Sequence, residues 1–121
     1  MDTKLKVLIV DEPGIAYNLA ILVDSLGYAS FKVSSGVEAL QVWKDNPDLA
    51  LVIMGTDLGT EKGYLIYEKL HQAGYERRVL ARLGLQDLGE WGKQGGKIEI
   101  QSNRRKIEEL EESIERLIKS K

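Results

Sequence analysis

Three groups of residues in this 121-residue sequence have types that chemistry uses. The adjacent acids Asp11 and Glu12 close an apolar run; Asp57 sits in the loop Gly55-Thr56-Asp57-Leu58-Gly59 that closes a second; and Arg104-Arg105-Lys106 places three positive charges where a final helix should begin. A carboxylate can act as acid, base, nucleophile or cation ligand, but turnover needs a second group, and no nucleophile–base pair is visible. The simplest reading of Asp57 is a solvated loop acid that caps local backbone. There is no cysteine, so disulfides and thiolate metal sites are excluded, and the sole histidine, His71, cannot build a zinc site alone. His71 is expected on the solvent side of a helix. No glycine-rich phosphate loop follows the first apolar run, and no Ser/Thr-rich flavin loop is present. The expectation is that the chain has no catalytic residue and is not an enzyme.

Two further features suit recognition. Trp91 is either an exposed anchor for a partner, tryptophan being common among interface hot spots, or a ring folded over the sheet edge. Arg104 and Arg105 lie where the helix dipole disfavours cations. With Arg77, Arg78 and Arg82 they could meet an acidic partner or anion; alternatively they form a basic turn balanced by Glu108, Glu109, Glu111 and Glu112. Tyr64, Tyr67 and Tyr75 bracket one helix and are expected to cover the rim of the core.

The elements that position these residues follow from periodicity. Residues 6–10 and 49–54 are uninterrupted apolar runs, the pattern of strands buried on both faces. Between them, Ile15, Leu19, Leu22, Val23 and Leu26 recur at helical spacing before Gly27. Residues 30–33 read as a short strand, and Ser35-Gly36-Val37-Glu38 has the spacing of a capping box that opens a helix through Trp43. A third helix is predicted over 63–71, with Leu65, Ile66 and Leu70 inward and Gly74 beyond its end. Residues 78–83 read as a fourth strand in which Arg82 is out of character. Residues 97–101 alternate like an edge strand, and Ile107, Leu110, Ile114 and Leu117 mark one face of a last helix. Segment 85–96 holds Gly89, Gly92, Gly95 and Gly96, and each glycine inside a helix costs about 1 kcal/mol, so a helix there should be short, frayed or absent. The fold class is α/β: a doubly wound, five-stranded parallel sheet in a three-layer sandwich with a degraded fourth helix, its functional groups at the carboxyl ends of the strands.

Composition agrees with one domain over residues 1–121. Hydrophobic residues make up 43% and charged residues 30%, so a packed core is expected. With 17 basic against 19 acidic residues, the chain has no electrostatic reason to seek nucleic acid. The first apolar stretch is too short for a signal peptide or membrane span, which leaves the cytoplasm as the expected location and no membrane as a partner.

Much of residues 5–70 resembles the CheY-like receiver domain of bacterial response regulators. Lys6-Val7-Leu8-Ile9-Val10-Asp11-Glu12-Pro13 is similar to that family's first strand and acidic turn, Leu26-Gly27-Tyr28 to the close of its first helix, Gly36-Val37-Glu38-Ala39-Leu40 to its second helix, and Asn46-Pro47-Asp48-Leu49 to the approach to its third strand. The resemblance implies a flavodoxin-like fold and a phosphorelay site. In that site an aspartate after the third strand accepts a phosphoryl group, an acidic pair holds Mg²⁺, and a hydroxyl and a lysine contact the phosphoryl oxygens. Asp11 and Glu12 match the metal-holding pair. The acceptor position falls on Gly55 counting back from Gly63, or on Ile53 counting forward from Pro47; neither has a carboxylate. The hydroxyl position falls near Leu83 and the lysine position on Asn103. The resemblance therefore implies a pseudo-receiver that binds another signalling protein or domain without phosphorylation, requires no cofactor and has its last helix available for homodimerisation. Two alternatives stay open: a Mg²⁺-dependent phosphoacceptor using Asp57, and a small-ligand sensor in the hollow left by the missing side chains.

Overall fold

The computed structural model describes residues 4–55, 61–83, 98–102 and 107–119. Asp57, Trp91, Asn103, Arg104, Arg105 and the glycine-rich segment 85–96 lie outside the described residues, so the expectations placed on them stand as sequence readings. The described elements are β1 (Lys6–Val10), α1 (Pro13–Ser25), β2 (Ala29–Val33), α2 (Gly36–Asp45), β3 (Leu51–Gly55), α3 (Gly63–Gln72), β4 (Arg78–Leu83), β5 (Ile98–Ser102) and α4 (Ile107–Lys119).

All strand pairings are parallel, in the order β2-β1-β3-β4-β5. This is the doubly wound, flavodoxin-like order, and the chain reverses its winding direction between β1 and β3. The crevice beyond the carboxyl ends of β1 and β3 is therefore where such a sheet places ligands. Successive strand residues point to opposite faces, and both faces are covered. On one side Val7, Ile9, Leu51, Ile53 and Leu80 pack against Leu19 and Val23 of α1 and Ile114 of α4. On the other, Leu8, Val10, Val52, Met54 and Val79 pack against Ala39 of α2 and Ile66 and Leu70 of α3. That double burial is why β1 and β3 appear in the sequence as unbroken apolar runs.

Helix boundaries obey local chemistry. Pro13 supplies the pre-set φ of a first helical turn. The Ser35 side chain accepts a hydrogen bond from the Glu38 backbone N–H, as the capping-box spacing requires, and the Glu38 carboxylate accepts from the Ser34 N–H and the Ser35 hydroxyl. Gly27 and Gly74, with φ of 93° and 111°, take the left-handed conformation that ends α1 and α3.

Three expectations need correction. Leu65 is not inward but 42% exposed, because α3 buries the stripe Gly63, Ile66, Tyr67 and Leu70. In α1 the inward stripe is Ala16, Leu19, Ala20 and Val23; the small alanines let the helix sit close to the sheet, so Ile15 turns outward and is 40% exposed. Tyr75 lies deeper than the rim: it is fully buried, donates its hydroxyl to the Arg78 carbonyl at 2.6 Å, and meets the Trp43 ring edge-on at 5.4 Å. His71 is exposed as expected and stacks on Tyr67.

Candidate functional site

The site is built at the switch point by three adjacent strand ends. Asp11 follows β1 directly, Gly55 closes β3, and Arg82 lies beside Gly55 in the β3–β4 register. Asp11 is moored by its backbone, whose N–H donates to the Val33 carbonyl at 3.2 Å, and its Oδ1 accepts the Glu12 N–H at 2.8 Å. These bonds turn the carboxylate over the end of β3. It fills the volume that a side chain at position 55 would need: a Cβ built on Gly55 would lie 2.6 Å from Asp11 Cγ and 2.7 Å from Oδ2. Glycine is required here by close approach, since its backbone alone leaves room for the acid.

Asp11 is one of two buried polar or charged residues among those described, with 4% exposure. Loss of water raises its pKa above the ordinary carboxylate value; the Glu12 N–H and Arg82 pull it down, and the Glu12 charge adds a smaller upward push. The Arg82 guanidinium stands 3.7 Å from Asp11 Oδ2, with its side chain 18% exposed. A cation thus stands beside the Asp11 carboxylate at this end of the sheet. This explains Arg82, a charged residue inside β4, whose partner could not be found from spacing alone.

Among the described residues, the donor set does not suit a hard dication. Asp11 already faces a guanidinium, Glu12 is exposed at the N-terminal end of α1, and no group of three or more potential metal-ligating side chains exists among the described residues. Gly55 supplies no third carboxylate. Leu83, the residue expected at the hydroxyl position, lies in β4 opposite Ser102 of β5.

One contact at this end was not anticipated. Glu61 Oε1 accepts the Gly36 backbone N–H at 2.7 Å, and Oε2 lies 3.4 Å from Lys69 Nζ. The carboxylate sits on the N-terminus of α2, where unpaired N–H groups and the helix dipole favour an anion. The Gly36 bond is the main reason its pKa is lowered; loss of water opposes it, and Lys69 adds a further downward pull. It ties the start of α3 to the start of α2 and frames the crevice. The available sequence signal was a glycine at the first position of α2, where a Cβ would meet Glu61 Oε2 at 2.8 Å.

No protein-family model matches this sequence, and no curated protein matches it significantly. Its structure does match solved receiver domains. A response regulator receiver domain from Clostridium thermocellum shares 22% identity at a TM-score of 0.82, the match covering 94% of each chain. The signal receiver domain of an HD domain-containing protein from Pseudomonas fluorescens Pf-5 shares 22% identity at a TM-score of 0.83, covering 98% of this chain and 89% of that one. The receiver domain of a sensor histidine kinase from Pseudomonas aeruginosa PAO1, solved with a magnesium ion in its active-site cleft, shares 20% identity at 0.82, covering 98% and 100%.

Proposed function

We propose that this receiver-fold chain is a non-enzymatic pseudo-receiver, which takes part in two-component-type signalling by binding another signalling protein and does so without accepting a phosphoryl group. The observation that carries this reading is the Asp11–Arg82 pair seated over Gly55. Phosphoryl transfer to a carboxylate needs a nucleophile at the end of β3, a dication to neutralise the developing charge, and donors aimed at the transferred oxygens. Here the first is absent at position 55, and the acid that would hold the second is turned onto an internal guanidinium. The magnesium ion in the cleft of the Pseudomonas aeruginosa receiver is a useful contrast. In this chain Arg82 supplies fixed positive charge to the same end of the sheet, and it does so at all times.

The test is exposure of the purified protein to Mg²⁺ and acetyl phosphate, followed by intact mass measurement. The expected result is no added phosphoryl group. An acid-stable, hydroxylamine-labile adduct that maps to Asp57 would overturn the reading and restore a phosphoacceptor role.

A further inference from the structure

The geometry points to a binding groove between α1 and α4 for a single-tailed anionic amphiphile, its head group on Arg82 and its aliphatic tail along α1. The groove encloses about 550 Å³, within the usual size range of small-molecule sites. It follows α1 from Ile15 to Ser25, ten residues or about 15 Å at the helical rise. Leu19 and Leu110 are its buried floor, the half-buried Leu22 lies beside them, and the outward-turned Ile15 and Ile21 are its wall. Among the described residues, Arg82 is the only charged one in the lining.

Two features fit that occupant. First, α1 carries a single charged side chain, Asp24, and leaves Ile15 and Ile21 of the lining 40% and 53% exposed, which an aliphatic tail would cover. Second, Arg82 is under-used. A guanidinium has five N–H donors, yet among the described residues it makes only the 3.7 Å contact with Asp11, longer than a hydrogen bond. Carboxylates and phosphate monoesters are the heads that match its planar fork. A bound head would compete with Asp11 for the guanidinium, so occupancy of the groove and the state of the crevice are coupled. The inference rests on the same Asp11–Arg82 pair as the proposed function, but not on whether the chain can be phosphorylated.

The experiment is a titration of ¹⁵N-labelled full-length protein with octanoate, octyl phosphate and octanol, read by amide shifts across residues 15–25 and at Leu110 and by the Arg82 Nε–Hε signal. Octanoate or octyl phosphate should move these signals, the stronger of the two identifying the head group, and Arg82→Gln should weaken that binding on the order of tenfold while leaving octanol unchanged. Asp11→Asn, which keeps Arg82 and removes its competitor, should tighten anion binding; this arm holds even if Arg82→Gln fails to fold. The inference is overturned if neither anion shifts α1, if octanol binds as well as both, or if Asp11→Asn leaves anion affinity unchanged. Shifts of α1 on protein dilution alone would also overturn it, because a second copy of the chain would then be the occupant. A phosphoryl adduct in the mass experiment would sink the proposed function and leave this titration to be decided on its own.

Discussion

Asp11 and Arg82 constrain each other because neither is well solvated. Removing Arg82 strands a buried carboxylate, so Arg82→Met should cost about 1–3 kcal/mol in a urea unfolding experiment, the range for a polar group left unpaired. Adding Asp11→Asn should recover most of that loss, and the double-mutant cycle measures the coupling directly. The pH dependence has a definite sign. Asp11 binds its proton more tightly folded than unfolded, so its contribution to stability is greatest in acid, declines as pH rises from the ordinary carboxylate value through the raised folded one, and is constant above that. Asp11→Asn should therefore be more stable than the parent near neutral pH, with the difference vanishing in acid; melting temperatures across that range check it. Gly55→Ala probes the same contact from below. Its methyl group would push against a carboxylate held by the Glu12 N–H, with an expected cost of about 1–3 kcal/mol that should largely disappear in an Asp11→Ala background.

Among the elements, α2 and α3 are joined through a carboxylate rather than through apolar packing alone. Glu61 holds the N-terminus of α2 while its own backbone leads into α3, so the two helices that flank the crevice share one anchor. Glu61→Gln should cost about 0.5–1 kcal/mol, the scale of a partly exposed charge at a helix N-terminus. Because the folded pKa of Glu61 is lowered, this stability is present above the ordinary value of 4.5 and is lost as pH falls through the folded one; the Gln variant should lack that acid-side slope. Hydrogen exchange of the Gly36 amide gives a local readout. Helix faces were harder to read than strands for a related reason. The choice between Ile15 and Ala16 in α1, or Leu65 and Tyr67 in α3, depends on how closely each helix approaches the sheet, and apolar spacing does not encode that distance.

For the molecule as a whole, the parallel sheet was legible because burial on both faces leaves β1 and β3 no room for polar alternation; the bounds of β1 and β4, Lys6–Val10 and Arg78–Leu83, are those expected from the sequence. That residue 55 carries no carboxylate is plain in the sequence itself. The pairing that fills the gap is not, since it depends on the register that sets Gly55 beside Arg82 across two strands distant in sequence. Its only trace was Arg82, a charged residue inside β4. The pair has one global consequence: a crevice whose charge is already balanced from within should not respond to a phosphoryl mimic. The most direct measurement is a two-dimensional amide NMR spectrum of the protein with Mg²⁺, before and after addition of beryllofluoride. The amides of Asp11, Gly55 and Arg82 should stay in place; saturable, Mg²⁺-dependent shifts of those amides would show that the crevice still takes a phosphoryl group.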